Sequence, residues 1–416
     1  MVTMYVLSIL CPLLASIYFL FIKFVDELPF NPFNPFNHRS ACGWWRLDEH
    51  ARRVRTLYME TNNIVISPCI YLGIHAMRGA PLLPCLKEIY ILDDHFLDLS
   101  SALLLASEST LNTVQLDVNA ITDWQFFVPF LSTLYMKSPG LSHLALRGFV
   151  RDTSMETVYC FSKLQSLEIR FYGLHFRPQL LYHLHKLGQL SHLLDLTIDT
   201  HYINVASTER PINPISSISN SANFRQLKRL QILGNTTLIS CILNEMRGLR
   251  NLNALKIVEE ECELSDTEIS WGSSFEAIST FSAVEDIEIT HDLKITHDPD
   301  DEPEDYWHYT LSASSLDPLL KLENLKSFIN DNISFSGTDE DFLRLASGFP
   351  KLKKFVVPGP SPSFTHGELG RRTLACLYYL SQECPDLREI KIAVSCSISD
   401  NIDAIKKLPH PIIRND

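Results

Sequence analysis

Apolar residues recur along the chain in a short pattern, apolar-x-x-apolar-x-apolar, at intervals of 23 to 41 residues. Leu164, Leu167 and Ile169 form a representative copy. The last two apolar positions lie two residues apart, which is the period of a β-strand with one buried face. The copies begin at Val54, Leu86, Leu111, Leu141, Leu164, Leu193, Leu227, Leu252, Val284, Leu352 and Leu387, with a degraded copy from Leu325 to Asn330. The pattern therefore predicts a series of short strands.

Helix-compatible segments lie between these predicted strands, and several end in a turn signal such as Pro139-Gly140. The helix-compatible segments are 101–109, 126–137, 179–187, 238–246, 275–281, 339–347 and 371–383. Strands and helices that alternate on a short period favour a parallel sheet with helices packed against it. The motif and its spacing are typical of leucine-rich repeats.

We therefore predict an α/β fold, a leucine-rich repeat solenoid of about 11–12 irregular repeats. It would be a curved horseshoe with a parallel sheet on the concave face, helices outside and an N-terminal apolar helix before the repeats. The full motif also places Asn or Cys eight residues after the first leucine, which Asn62, Asn119 and Asn235 satisfy. We expect such an asparagine to be buried and bonded to the backbone.

The N-terminal region divides into two predicted segments before a repeat domain at 46–416. Residues 1–25 form an apolar helix, and the stretch 5–22 is long enough to act as a membrane anchor. Residues 26–45 form an Asn/Pro/Phe-rich linker. Lys and Arg follow the apolar segment and none precedes it, which places the repeat domain in the cytoplasm. The alternatives for this segment are a buried capping helix and an N-terminus that does not belong to the ancestral protein. The nucleus is the alternative location of the repeat domain.

Composition narrows the class of function. The formal net charge of −13 argues against a nucleic-acid partner, because such proteins normally carry a basic excess. The ten cysteines include no Cys-x-x-Cys motif and suggest no disulfide framework, so we expect reduced thiols in an intracellular compartment. An acidic, proline-containing insertion at 297–306 is predicted to be a loop, and it lacks the residue order of a calcium-binding loop.

The chain contains no nucleotide-binding, hydrolase or zinc-binding motif that would indicate catalysis. We therefore predict a protein without enzymatic activity, cofactor or metal site. A remote alternative is an enzyme or small-molecule sensor with a pocket on the concave face. That reading would require a buried cluster of titratable side chains with strongly shifted pKa values.

Strand alternation points the residues between the apolar positions to the exposed face of the sheet. In the middle copies these residues carry mixed charge and lie near Tyr172. They are the predicted partner-binding residues: His143, Arg147, Glu168, Arg170, Asp195, Asp199, Arg229 and Gln231. The alternative is a solvated sheet face with incidental charges.

From about residue 46 onward the chain resembles the F-box-like leucine-rich repeat proteins of basidiomycete fungi. The resemblance is carried by EHARRVRTL at 49–57, PLLPCLKEI at 81–89, KLQSLEI at 163–169 and FPKLKKF at 349–355. It implies a substrate-recognition subunit of an SCF-type ubiquitin ligase, with a Skp1-type adaptor as one partner. The F-box itself is not recognisable here, since Leu28-Pro29 is followed by Phe30-Asn31-Pro32. A membrane-tethered recognition protein without a ligase link is the alternative.

Overall fold

The structure, a computed structural model, describes most of the predicted repeat domain. The described residues are 48–59, 68–92, 99–117, 127–150, 152–172, 177–203, 224–260, 271–292, 310–331, 334–357, 372–394 and 397–408. The predicted apolar helix at 1–25, the linker at 26–45 and the acidic insertion at 297–306 lie outside the described residues.

The described residues form an α/β fold around one large parallel sheet, which confirms the predicted fold class. Twelve strands lie side by side in chain order, an arrangement compatible with a solenoid. They are β1 (Thr56–Met59), β2 (Glu88–Ile91), β3 (Thr113–Asp117), β4 (His143–Val150), β5 (Ser166–Tyr172), β6 (Asp195–Tyr202), β7 (Arg229–Gly234), β8 (Ala254–Glu260), β9 (Asp286–Asp292), β11 (Ser327–Asp331), β13 (Lys354–Val357) and β14 (Glu389–Ile392). Strands β10 (Thr310–Ser312) and β12 (Ser334–Ser336) form a separate parallel pair, which the sequence pattern did not predict.

Each copy of the apolar pattern contributes one strand of the twelve-stranded sheet. The register aligns equivalent positions of successive copies, so that Leu167 of β5 pairs with Leu144 of β4 and with Leu196 of β6. The next apolar position aligns in the same way, with Ile169 opposite Ile198. Both rows are buried against the core. Alternation of side chains along each strand then sends the intervening residues to the other face.

Helices connect many of the strands, and most predicted segments are confirmed. The helices are α1 (Pro68–Arg78), α2 (Leu99–Ala102), α3 (Phe127–Lys137), α4 (Asp152–Val158), α5 (Arg177–Leu187), α6 (Thr236–Glu245), α7 (Gly272–Ile278), α8 (Asp339–Gly348), α9 (Ala375–Glu383) and α10 (Ile398–Lys407). Two 3₁₀ segments occur at Leu103–Leu105 and Ala313–Lys321. Apolar residues of α1 to α9 join the inward face of the sheet in one continuous core, whereas no residue of α10 is buried.

The predicted helix at 101–109 is shorter than expected. The α-helix ends at Ala102 and a 3₁₀ turn ends at Leu105, after which Ala106 has extended backbone angles. Ala106 forms an isolated parallel bridge with Leu83, and the Leu83 amide donates to the carbonyl oxygen of Leu105 at 2.8 Å. Pairing with a neighbouring segment therefore ends this helix, an interaction that local propensity does not include.

Asn235 bonds to the backbone as predicted, but it does so as the N-cap of α6. Its side-chain oxygen accepts a hydrogen bond from the Leu238 amide at 2.9 Å. Asparagine is among the preferred N-cap residues because it satisfies an amide that has no intrahelical partner. It is half-buried rather than fully buried. The other two predicted positions, Asn62 and Asn119, lie outside the described residues.

Two cysteine thiols near the end of the sheet are protected by burial, and this protection is testable. Burial, with a smaller contribution from Asp339, raises the pKa of the Cys376 thiol to about 12. Burial also raises the pKa of Cys384 to about 11. Cys160 is exposed. Because the thiolate is the reactive form, the raised pKa keeps the Cys376 thiol almost wholly protonated and unreactive near neutral pH.

We expect a maleimide probe at pH 8 to label Cys160 in the native protein within minutes. Cys376 and Cys384 should be labelled only after unfolding in guanidinium, as read by mass spectrometry of the labelled peptides. The unfolded sample controls for probe access to every thiol. Equal native labelling rates at Cys384 and Cys160 would contradict the burial and would indicate local opening of the last strands.

Candidate protein-binding face

One face of the twelve-stranded sheet packs against the core, and the opposite face, here called the open face, carries polar side chains. The open face is formed by the first and third residues of the middle strands, and in β4, β5 and β6 also by the fifth residues, Arg147, Arg170 and Asp199. Its first and third positions are Thr113 and Gln115, His143 and Ala145, Ser166 and Glu168, Asp195 and Thr197, Arg229 and Gln231, Ala254 and Lys256, and Asp286 and Glu288. All of these side chains are half-buried or exposed.

The parallel register brings the predicted binding residues together on this face. His143, Asp195 and Arg229 lie in one row across β4 to β7, with Ser166 between the first two. Glu168 and Gln231 lie in the next row. The remaining three predicted residues, Arg147, Arg170 and Asp199, lie nearer the carboxyl ends of the strands. Residues distant in sequence therefore share one surface.

Arg147 joins three neighbouring strands through its guanidinium group. Its Nε donates to Glu168 Oε1 at 2.6 Å and its Nη2 donates to Glu168 Oε2 at 3.0 Å. Its Nη1 lies 3.5 Å from Asp117 Oδ2 on the other side. The hydrogen bonds to Glu168 raise the pKa of Arg147 above its ordinary value. A bidentate pair fixes the guanidinium and carboxylate groups relative to each other, so the side chains of Arg147 and Glu168 are held in one geometry.

Arg170 and Asp199 form a second pair, and here the prediction of an exposed charge is wrong for Asp199. Asp199 is only 6% exposed. Its Oδ2 accepts from Arg170 Nε at 2.6 Å, and its Oδ1 accepts from the His201 amide at 3.0 Å. A buried carboxylate requires such partners, and these two satisfy it from within the chain. Asp199 therefore positions Arg170 and offers little surface to a partner.

An aromatic ring does flank the charged residues of the open face. The guanidinium carbon of Arg170 lies 5.9 Å from the ring centroid of Tyr202, within the range of a cation–π contact. Tyr202 is 45% exposed. The side chain of Tyr172, which the sequence suggested for this role, lies outside the described part of the chain. The exposed tyrosine of β6 thus supplies an amphipathic contact surface.

Arg229 is the most accessible cation among the predicted residues. Its side chain is 72% exposed, and its Nε and Nη2 each lie 2.5 Å from the Asp195 carboxylate oxygens. The hydrogen bonds to Asp195 raise the pKa of Arg229 above its ordinary value. Exposed pairs of this kind contribute little to stability. The guanidinium is therefore oriented by Asp195 while much of its surface stays open to a partner.

Two further ion pairs, Lys256–Glu288 and Lys354–Glu389, extend the charged surface of the open face, and a third, Lys326–Glu285, lies just before β11 and β9. The sequence analysis did not single them out. Lys256 Nζ lies 2.6 Å from Glu288 Oε1, Lys326 Nζ lies 2.7 Å from Glu285 Oε2, and Lys354 Nζ lies 2.9 Å from Glu389 Oε1. In each case opposite charges stand at the same offset in neighbouring copies of the pattern. That alternation of sign was readable from the sequence. The result is a ladder of paired charges rather than a field of one sign.

A polar cluster also lies on the inward face, at the carboxyl ends of β8 and β9. Glu259 Oε1 accepts a hydrogen bond from the Thr236 hydroxyl, and Glu259 Oε2 lies 3.3 Å from His291 Nδ1. All three residues are buried. Thr236 is the first residue of α6, where a carboxylate is also favoured by the helix dipole. The cluster ties the two strands to the helix.

Neither a metal centre nor a membrane helix is found among the residues that the structure describes. No group of three or more His, Cys, Asp or Glu side chains is placed to hold a metal ion in these ranges. No helix there is long and apolar enough to cross a bilayer, and the predicted anchor at 5–22 lies outside them. Comparison with known proteins adds no assignment, since no protein-family model and no curated protein matches the chain.

Proposed function

We propose that this protein is a noncatalytic protein-binding platform built as a leucine-rich repeat solenoid. Twelve parallel strands in chain order, one for each copy of a motif repeated every 23 to 41 residues, support this assignment. In such a solenoid the sheet lines the concave side of a curved horseshoe and the helices lie outside. The open face would then be the concave surface, which solenoids commonly use to bind partners.

The ladder of oriented charges on the open face is the observation that carries this proposal. Paired charges leave the face with alternating sign, so it suits a protein surface with complementary alternating charges. Charged rims of this kind mainly set the specificity and rate of association. The exposed Tyr202 beside Arg170 adds an aromatic contact of the type enriched in binding sites. The residues are spread over several strands, which favours an extended partner over a small molecule.

We further propose that the chain is an F-box-like leucine-rich repeat protein whose partner is a substrate of an SCF-type ubiquitin ligase. The sequence resemblance at 49–57, 81–89, 163–169 and 349–355 supports this relation, and these segments lead into β1, β2, β5 and β13. Under the alternative, residues 5–22 tether a cytoplasmic recognition protein to a membrane without a ligase link. The ligase proposal and the tethered alternative predict different sets of proteins bound to the full chain.

The binding face is tested by affinity purification of the full chain in mild detergent, followed by quantitative mass spectrometry. Arg147→Glu combined with Arg229→Glu reverses two cations of the open face. The matched control, Arg247→Glu with Arg250→Glu, makes the same change of charge at exposed positions in the turn after α6. We expect the open-face variant to lose its specific partners at least tenfold while the control keeps them. Equal recovery from both variants would contradict binding at the open face.

The same purification distinguishes the ligase proposal from the membrane-tethered alternative. A Skp1-type adaptor and a cullin among the recovered proteins would support the ligase relation. Their absence, together with recovery of the full chain in the membrane pellet, would support the tethered platform. Because adaptor contact would come from the N-terminal region, it should not change in the open-face variant. Loss of the adaptor with that variant would contradict this division of roles.

A further inference from the structure

The last strand of the twelve-stranded sheet, β14, forms an exposed edge. β14 pairs with β13 on one side, and no strand among the described residues pairs with it on the other. Ile390 of β14 is 38% exposed, whereas its register partner Phe355 in β13 is fully buried. An exposed edge strand presents backbone donors and acceptors that can pair with another strand. The end of the sheet is therefore suited to strand addition.

Backbone bonding fixes which residues of β14 face this edge. The Glu389 amide donates to the Lys353 carbonyl oxygen at 3.1 Å, so Glu389 bonds back toward the preceding segment. Successive residues of a strand direct their amide and carbonyl groups to opposite sides. Ile390 and Ile392 consequently direct theirs to the open edge, while Glu389 and Lys391 place their side chains on the open face.

The helix that follows β14 carries an apolar stripe which the core does not use. Ile398, Ile402 and Ile405 of α10 are 76%, 46% and 49% exposed. Their spacing of four and three residues places them on one side of the helix. No residue of α10 is buried. Exposed apolar stripes next to an open strand edge mark an interaction surface.

We infer that this edge binds a second copy of the same chain about a two-fold axis at Ile390. In the resulting antiparallel pair, Ile390 lies opposite the second copy's Ile390, and the two exchange both amide–carbonyl hydrogen bonds. Glu389 then lies opposite the second copy's Lys391, and Lys391 opposite the second copy's Glu389. Directly opposite residues point to the same face, so both charge pairs form on the open face.

The sequence of β14 favours this symmetric contact over a head-to-tail one. Stacking β14 on the β1 edge of another copy in the register of this sheet would place Glu389 against Thr56 and Lys391 against Tyr58. No charge pair would form in that arrangement, and it would continue into an open filament. The two-fold contact closes at two copies. It also leaves the existing Lys354–Glu389 ion pair in place.

The test is sedimentation equilibrium of the full chain in a density-matched mild detergent. We expect a dimer for the natural sequence. Glu389→Lys and Lys391→Glu should each raise the dissociation constant at least tenfold, because each puts like charges opposite one another twice. Ile402→Glu should do the same by charging the apolar stripe. Glu323→Lys, an exposed position before β11, is the control and should leave the dimer unchanged.

Charge complementarity adds a stricter requirement. An equimolar mixture of the Glu389→Lys and Lys391→Glu variants should form mixed dimers, and the double variant Glu389→Lys/Lys391→Glu should dimerise alone. If the single variants failed to dimerise only because their last strands unfold, neither the mixture nor the double variant would restore the dimer. Thermal unfolding of each variant measures separately whether it is folded. A monomeric natural chain, or single variants that dimerise normally, would overturn the inference and leave the edge to another occupant.

Discussion

Replacing Leu167 with aspartate is expected to prevent the chain from folding. Leu167 is buried in β5, and its register partners on both sides, Leu144 and Leu196, are buried leucines. The aspartate would lie in this apolar row without a charged partner. Burying an unpaired charge costs several kcal/mol, a large part of the roughly 5–15 kcal/mol by which most domains are stable.

The adjacent residue supplies the control for this prediction. Glu168 lies on the open face, and Glu168→Gln keeps its shape while weakening the pair with Arg147. Because that pair is partly solvent-exposed, we expect a loss of at most about 1 kcal/mol. Soluble yield, circular dichroism and urea unfolding of both variants measure the difference. Comparable losses for the two substitutions would show that the register of β5 is wrong.

The strands were predictable because stacking imposes the same requirement on every copy. An inward position of one strand contacts the equivalent position of the next, so both must be apolar, and the motif repeats that demand. Even the degraded copy at Leu325 to Asn330 forms β11 in register with its neighbours. Asn330 is buried where most other strands carry an aliphatic residue. The surrounding rows therefore fix the strand despite one polar position.

Several helical elements were missed: α1 (Pro68–Arg78), α4, the 3₁₀ segment at 313–321 and α10, and the last three have weak local signals. α4 (Asp152–Val158) is short and rich in polar and β-branched residues, which have low helix propensity. The 3₁₀ segment Ala313–Lys321 contains Pro318, which disfavours a regular α-helix. α10 lies beyond the last copy of the motif, so no following strand indicated that a helix was needed. Tertiary packing decides α4 and the 3₁₀ segment more than their own sequence does, because both contribute buried residues to the core.

The candidate site was predictable in position but not in detail. Alternation within the strands placed all eight predicted residues on one face of the sheet. The burial of Asp199 depends on the partners of its carboxylate, Arg170 and the His201 amide, and the motif encodes neither. The bridge from Arg147 to both Asp117 and Glu168 depends on side-chain length across three strands. The two-residue period of the strands therefore predicts on which face a side chain lies. Its exposure depends on the side chains that surround it in the folded protein.

Two glutamates that link the same pair of strands are expected to differ strongly in their effect on stability. Glu259 of β8 pairs with His291 of β9 on the buried face, and Glu288 of β9 pairs with Lys256 of β8 on the open face. Glu259→Ala removes the shared acceptor of His291 and the Thr236 hydroxyl and leaves a cavity. We expect a loss of about 3–5 kcal/mol, because two buried donors lose their acceptor and a cavity is left. Glu288→Ala breaks a more exposed pair and should cost at most about 1 kcal/mol.

Urea unfolding of the two variants, followed by circular dichroism, tests this contrast within one pair of strands. Glu259→Gln refines it, because the amide oxygen can still accept from Thr236 while the charge is lost. An intermediate stability for Glu259→Gln would assign part of the effect to hydrogen bonding and part to charge. Equal stabilities for Glu259→Ala and Glu288→Ala would contradict the burial of the cluster. A large difference would show that the inward face contains a stabilising polar cluster between β8, β9 and α6, whereas the Lys256–Glu288 pair of the open face contributes little to stability.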